Sequence, residues 1–269
     1  MPETNLAATT FTLYNTSYSP DIWNAAKRAQ PGNIVTFENA LEASIDVSCQ
    51  SSKVFVQRDG EKYPDGPFGA IRMAVKATEL FRILLNLRGA SAKEVYEKIK
   101  NLEGRVVSIG HNCVNGARSK KGEVFSNPVA HGEMDAIIKA GMAVPFPVCK
   151  WPEKDICFVE ATSSEDCDSC SSRNSLWSGT ALTIAATTTL DVLKHTGFDE
   201  GEACKIDDRD PSLHHANIHD LASKNFGMSS VYTPHLREKA ARAFAIYREH
   251  EAQIYQADYS KNIAAAMKN

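Results

Sequence analysis

Basic residues are not in excess in this chain of 269 residues, because 30 lysines and arginines stand against 33 aspartates and glutamates and give a net charge of −3. A nucleic-acid surface needs an extended cationic patch, so a nucleic-acid partner is not expected. The small basic cluster Arg118–Lys121 is interpreted as a solvated loop. Long apolar runs are also missing, since Arg82 and Asn86 interrupt the apolar segment 80–87. A membrane span is therefore not expected either.

The sequence also lacks the cysteine pattern of a small secreted protein. Its seven cysteines, an odd number in a chain of this length, fit a reducing compartment better than a disulfide framework. The segment Met1–Tyr14 has no basic start followed by an apolar run, so no secretion signal is expected. With 43% hydrophobic residues the chain is able to bury a sizeable core. We therefore expect a cytoplasmic globular protein.

Strand and helix patterns alternate along the chain, which predicts an α/β protein with helices on both faces of a central sheet. Apolar residues fill 155–162 as in a buried strand, and helical spacing is found in 37–48 and 134–143. A further helical pattern spans 79–102 and is divided by residues 88–90. This pair of helices is expected to pack on the core or at a dimer contact rather than to act as a mobile lid.

One histidine and two cysteines have the spacing of a metal site. His131 and Glu133 are two residues apart, and Cys167 and Cys170 form a Cys-x-x-Cys pair downstream. One imidazole and two thiolates make a three-ligand zinc set that leaves the fourth tetrahedral position for water, as in catalytic zinc sites. Glu133 is not needed as a ligand and is free to transfer protons. These four residues together predict a catalytic zinc site.

Local structure is expected to bring these residues together. A helix is predicted to open at about Glu165, which places Cys167 and Cys170 on one face of its first turns. There the unpaired N–H groups and the helix dipole favour thiolate over thiol. His131 and Glu133 are predicted to lie in the first, less regular turn of their own helix.

Two other interpretations of the cysteine pair stay open. The pair could be redox-active, but His131 and Glu133 then have no role. It could belong to a closed structural zinc site, for which Cys157, Cys149 and His111 are the nearby candidates for a fourth ligand. The combination of histidine, glutamate and both cysteines favours the catalytic interpretation.

Several segments match, in order along the chain, the motifs of one family. They are Gly66–Ile71, Ser108–Asn112, His131–Glu133, Cys167–Cys170, Leu176–Gly179 and Gly197–Glu200. These segments resemble the cytidine deaminase-like superfamily, in particular its guanine deaminase and tRNA-adenosine deaminase branch. The resemblance spans about 66–208, is weaker at 236–255, and does not include the first 60 residues.

The resemblance implies a fold and a domain organisation. The fold is a three-layer α/β/α sandwich with a mixed central sheet of about five strands. Residues 1–60 form an N-terminal extension that packs on the core, and residues 61–269 form the zinc-dependent catalytic domain. The helical pattern then corresponds to an insertion at about 76–104, where the family usually has a tight hairpin.

The resemblance further implies hydrolytic deamination of an aminated purine-type base, with guanine converted to xanthine and ammonia. Zinc held by His131, Cys167 and Cys170 provides a bound hydroxide in this scheme, and Glu133 moves the protons. Guanosine, cytosine, a pterin-like ring and tRNA adenosine are alternative substrates. A catalytically silent zinc scaffold or accessory subunit is the alternative of another class. A small-molecule partner and a homodimer are expected.

Five residues are candidates for substrate binding. Asn112 offers an amide donor and acceptor to the ring, although it also suits a turn at a strand end. Gly132 lies at the expected floor of the substrate site. Trp177 and Phe198 could flank the base or pack in the core. Asp199 could accept hydrogen bonds from the guanine N–H groups, or cap a turn.

Three positions depart from the family pattern. Gly132 stands where the family usually has alanine, and Asp166 and Asp168 stand where it usually has proline. Glycine loosens the backbone at the substrate floor, whereas aspartates suit a helical first turn but add negative charge beside two thiolates. The zinc chemistry is expected to survive these changes, which bear instead on the substrate preference.

Overall fold

The computed structural model of the chain describes residues 18–58, 61–87, 90–114, 117–118, 124–125, 127, 129–143, 155–167, 170, 178–196 and 229–250. The helices in these residues are α1 (Pro20–Ala25), α2 (Phe37–Ser51), α3 (Ala77–Asn86), α4 (Ala92–Ile99), α5 (Gly132–Ala143), α6 (Thr189–Thr196) and α7 (Arg237–Glu249). None of them is long and apolar enough to cross a membrane. The strands are β1 (Ile34–Thr36), β2 (Phe55–Arg58), β3 (Glu61–Pro64), β4 (Gly69–Lys76), β5 (Glu103–His111), β6 (Ala117–Arg118), β7 (Val124–Phe125), β8 (Ile156–Thr162), β9 (Thr180–Ala185) and β10 (Ser229–Tyr232).

Six of these strands form one mixed sheet in the order β1-β5-β4-β8-β9-β10. The neighbouring pairs from β1 to β8 are antiparallel, and the pairs β8–β9 and β9–β10 are parallel. β4, β8 and β9 are buried almost throughout, as expected for strands that are covered on both faces. The predicted mixed sheet is confirmed, and the short edge strand β1 adds a sixth strand to the five expected.

Two glycines establish that α2 and α5 lie on opposite faces of this sheet. Gly69 in β4 faces α2, since a β-carbon there would collide with the Ser44 backbone. Gly110 in β5 faces α5, since a β-carbon there would collide with Gly132 and Ala136. Gly110 pairs with the residue that follows Gly69, and successive residues of a strand point to opposite faces. The predicted α/β/α layering is therefore confirmed.

The α3–α4 pair packs against the main hydrophobic core, which also contains the apolar faces of α2 and β4. Leu80 of α3 and Tyr96 and Ile99 of α4 are each buried to 1% exposure or less in this core. The α4 helix begins with a capping box at Ser91, which explains why the helical pattern restarts there. These contacts agree with the core-packing role expected for the helical pattern.

Other predicted elements are present with shifted ends. The strand predicted over 155–162 is β8, and the helix predicted over 134–143 is α5, which begins at Gly132. The helix predicted to open at about Glu165 is wrong in its start, because residues from there to Cys167 are not helical. The backbone N–H of Glu165 instead donates to the carbonyl of Thr187, which keeps this segment beside the end of β9.

Candidate active site

The beginning of α5 is fixed to the end of β5, and this contact positions His131. The Ser108 hydroxyl in β5 donates to the carbonyl of Ala136 at 2.6 Å. The Asp135 carboxylate accepts from the backbone N–H of His111 at 3.1 Å. His131 directly precedes α5 and its carbonyl accepts the N–H of Asp135 at 2.8 Å. The imidazole is thereby held near the carboxyl end of β5.

The cysteine segment is anchored where β8 ends. Ser163 donates its backbone N–H to the carbonyl of Gly69 at 2.9 Å, and its hydroxyl accepts from the N–H of Gly69 at 3.0 Å. The Thr187 hydroxyl donates to the carbonyl of Ser163 at 2.9 Å. Cys167 lies in the irregular stretch that follows, and Cys170 is helical. These hydrogen bonds fix the path from β8 to the cysteine pair.

His131, Cys167 and Cys170 converge in space. The Nδ1 atom of His131 lies 3.4 Å from Sγ of Cys167 and 3.5 Å from Sγ of Cys170, and the three donor atoms lie within 4.8 Å of one another. Tetrahedral zinc with Zn–S bonds of about 2.3 Å and Zn–N bonds of about 2.0–2.1 Å places its N and S ligand atoms about 3.6 Å apart. The donor set therefore fits zinc in element type and in spacing. It is the only such group among the described residues.

A closed four-ligand site lacks its fourth ligand in the part of the chain that the structure describes. Cys157 is buried in the hydrophobic core, and Nδ1 of His111 contacts the Asn112 carbonyl at 3.1 Å. Neither Cys157 nor His111 belongs to the group formed by His131, Cys167 and Cys170. The third candidate, Cys149, lies outside the described residues. Cys167 and Cys170 are not joined in a disulfide. The geometry thus favours an open three-ligand site.

Glu133 lies beside the donor set on the first turn of α5. It is 5% exposed, and its Oε2 lies 3.5 Å from Sγ of Cys170. Burial, together with the negative charge of Cys167, raises the pKa of Glu133 to about 7. The pKa of Cys167 is lowered to about 4, first by its hydrogen bond with Cys170 and then by His131. A carboxyl group that is shielded from water next to a metal site is suited to accept and return protons.

A buried ion pair lies on the α5 side of the sheet. Arg72 of β4 and Glu160 of β8 are direct cross-strand partners, 3.2 Å apart, with side chains 1% and 0% exposed. The guanidinium also donates to the Thr180 hydroxyl at 2.8 Å and to the Ser178 carbonyl at 2.6 Å. It thereby fixes the start of β9, after the cysteine segment. Sequence reasoning missed this pair, although a charged residue inside each of two apolar runs was a usable signal.

Asp166, which stands where the family pattern has proline, is also buried. One carboxylate oxygen accepts from the Thr183 hydroxyl at 3.3 Å, and the other has no hydrogen-bond partner among the described residues. Burial and the negative charges of Glu133 and Glu160 raise the pKa of Asp166 well above its ordinary value. The raised pKa acts against ionisation of Asp166 and therefore against added negative charge beside Cys167.

The structure gives Asn112 and Gly132 packing roles. Oδ1 of Asn112 accepts from the backbone N–H of Gly66 at 3.2 Å and from that of Val114 at 3.3 Å. A β-carbon at Gly132 would lie 3.2 Å from the carbonyl oxygen of Phe68, so alanine would fit only tightly there. Their roles in substrate binding stay predictions. The remaining candidate positions, which lie outside the described residues, are Asp168, Trp177, Phe198 and Asp199.

Comparison with solved structures reveals the relatives of this fold. The protein NE0047 in complex with 2,6-diaminopurine is 17% identical, with 90% of this chain and 95% of that chain covered and a TM-score of 0.53. A guanine deaminase from Nitrosomonas europaea is also 17% identical, with 88% and 96% covered and a TM-score of 0.52. A variant of NE0047 in complex with 8-azaguanine gives the same identity and TM-score, with 88% and 98% covered. No protein-family model and no curated protein sequence matches the chain. The chain therefore has the cytidine deaminase-like α/β/α fold of these structures.

Proposed function

We propose that this protein is a zinc-dependent deaminase that removes the exocyclic amino group of a purine-type base, with guanine as substrate and xanthine and ammonia as products. The observation that carries the proposal is the convergence of His131, Cys167 and Cys170 beside the buried carboxyl group of Glu133. Redox pairs and structural zinc sites do not need a buried glutamate beside an open ligand position. The fold supports the same activity, because a solved guanine deaminase shares it.

Zinc is the metal that we propose for the three donors. Thiolate and imidazole are ligands that zinc prefers, and the N–S separations of 3.4 and 3.5 Å suit a tetrahedral ion. When bound in such a set, zinc supplies Lewis-acid activation of water. No fourth protein donor accompanies the three in the part of the chain that the structure describes, as expected if the remaining position is left for water.

Glu133 carries the protons in the proposed reaction. Its carboxylate accepts a proton from the attacking water and returns protons to the ring nitrogen next to the attacked carbon and to the leaving amino group. A C–O bond forms, the C–N bond breaks, and ammonia leaves, so one water is consumed and no redox partner is needed. Because Glu133 is buried, bulk water does not compete for these protons.

Asn112 orients the base in this proposal. Its Oδ1 is held by two backbone N–H groups, so its NH2 group is the part that donates to the ring. Guanine presents two acceptors, O6 and N7, on one edge, which suits such a donor. Asp199 is proposed to accept from the guanine N–H groups, with Trp177 and Phe198 beside the ring. Complexes of NE0047 with 2,6-diaminopurine and 8-azaguanine support a purine-type ligand for this fold.

We also propose a cytoplasmic location and a homodimer that acts on a small molecule. The odd number of cysteines, seven, supports the reducing compartment. Size-exclusion chromatography with light scattering checks the assembly.

The test of the proposed function is ammonia release by the zinc-loaded full chain from guanine, guanosine, adenine and cytosine. Guanine is expected to react fastest, with one xanthine formed per ammonia. Glu133→Gln protein purified in parallel is the control for contaminating enzymes. A protein that binds zinc stoichiometrically but releases ammonia from none of these compounds would contradict the proposal and favour a silent zinc scaffold.

A further inference from the structure

We propose that Ser51 of α2 is a positioning residue that sets the orientation of the Asn112 amide. Ser51, Gly66 and Asn112 are here called the Asn112 cradle. The α2 helix precedes the zinc motifs and carries none of the metal ligands. Through this cradle it nevertheless takes part in substrate recognition. The inference rests on the proposed function, because it concerns Asn112 as the residue that contacts the base.

The Ser51 hydroxyl connects α2 to both other members of the cradle. Its oxygen lies 2.8 Å from the Gly66 carbonyl and 3.2 Å from the Asn112 carbonyl, and these two acceptors share its hydrogen. Gly66 in turn donates its N–H to Oδ1 of Asn112 at 3.2 Å. All three residues are buried, so water does not replace these bonds when one is lost. The hydroxyl is therefore tied to both the backbone and the side chain of Asn112.

Packing and hydrogen bonding leave the amide of Asn112 one orientation. A β-carbon at Gly66 would lie 2.8 Å from Nδ2 and 2.9 Å from Cγ of Asn112, so the amide occupies the space that a side chain at Gly66 would need. The backbone N–H of Val114 donates to the same Oδ1 as that of Gly66. Turning the amide over would set its NH2 group against two N–H donors, which is unfavourable. A shift of Gly66 therefore changes where the amide directs its NH2 group.

Another buried serine of α2 provides a matched control. Ser44 is fully buried, as Ser51 is, but its hydroxyl donates at 2.8 Å to the carbonyl of Leu41 in the same helix. Ser44→Ala removes one buried hydroxyl without removing a bond to the cradle. A general loss of stability in α2 would affect both variants, whereas loss of amide positioning would affect Ser51→Ala alone.

The test compares the kinetics of Ser51→Ala and Ser44→Ala in the zinc-loaded full chain. A lost buried hydrogen bond is commonly worth a factor of about 3 to 10, so Ser51→Ala is expected to raise KM for guanine by that factor while kcat changes less than about twofold. Ser44→Ala is expected to leave KM within about twofold. Gly66→Ala, which forces a carbon against the amide, should raise KM further. Equal changes of KM in the two serine variants would overturn the inference.

Nuclear magnetic resonance distinguishes failure of this inference from failure of the proposed function. The side-chain NH2 pair of Asn112 is identified by its disappearance in Asn112→Asp. That pair should shift in Ser51→Ala and stay in place in Ser44→Ala, whether or not guanine is a substrate. A native protein without activity on any base would contradict the proposed function, and the amide resonance would still decide the role of Ser51. An unshifted pair in Ser51→Ala would overturn that role.

Discussion

Replacing Glu133 by glutamine tests the proton-transfer role directly, because glutamine keeps the size of the side chain but has no carboxyl group to take up and return a proton. General acid–base catalysis commonly contributes ~10²-fold to 10⁴-fold. Glu133 is 5% exposed, so solvent has little access to take over its role. In the proposed reaction this one carboxyl group also serves both the attacking water and the leaving amino group. We therefore expect the upper part of the range, a fall in kcat of about 10³-fold to 10⁴-fold.

The assay for Glu133→Gln combines ammonia release with zinc content and the KM for guanine. Zinc content and substrate affinity should stay near the native values, because Glu133 is not one of the three donors. Glu79→Gln, a change of an exposed glutamate on α3, is the control and should leave kcat unchanged. A Glu133→Gln enzyme that retains kcat within about tenfold of the native value would refute the proposed proton transfer.

Three further changes test the metal site and the packing around it. His131→Ala removes one of the three donors and should abolish zinc binding. Elemental analysis measures the zinc content, and full zinc content in this variant would show that the ligand set is wrong. Gly110→Ala forces a carbon into α5 and should lower the free energy of unfolding by about 1–3 kcal/mol. Gly141→Ala, whose new carbon would meet no other described part of the fold within 4 Å, should raise it by about 0.5–1 kcal/mol. Urea denaturation compares the two variants. Arg72→Met leaves the Glu160 carboxylate without its arginine and should lower the free energy of unfolding by about 3–5 kcal/mol. Adding Glu160→Met to this variant should restore most of that loss. An Arg72→Met variant as stable as the native chain would contradict this.

The convergence of the three candidate metal donors was predictable because it depends on a few side chains at short spacing. His131 and Glu133 are two residues apart at the start of the helical pattern of α5. Cys167 and Cys170 are three residues apart and follow the apolar run of β8. A short continuous apolar run, such as the one at 156–162, indicates a buried strand without knowledge of its tertiary contacts. The start of the helix near Glu165 was predicted wrongly, because a hydrogen bond to a distant strand end overrides the local capping pattern.

Contacts between distant segments were not predictable from local patterns. Arg72 and Glu160 are separated by 88 positions, and only the pairing of β4 with β8 brings them together. Ser51 is the last residue of α2, and no local sequence pattern distinguishes it from the other serines of that helix. Its hydrogen bond to the Gly66 carbonyl depends on how α2 packs across the sheet. Periodicity identifies which face of an element is buried, but it does not identify the partner on that face.

The Arg72–Glu160 pair also specifies the register of the sheet. A slip of β4 by one residue would turn Arg72 toward the apolar core on the α2 face and would separate it from the Glu160 carboxylate. An uncompensated buried charge costs several kcal/mol, so the slipped pairing is strongly disfavoured during assembly of the sheet. The correct register sets Gly69 beside Ser163, at the start of the cysteine segment. A buried charged pair outside the three-donor group thus favours the strand alignment in which His131, Cys167 and Cys170 meet.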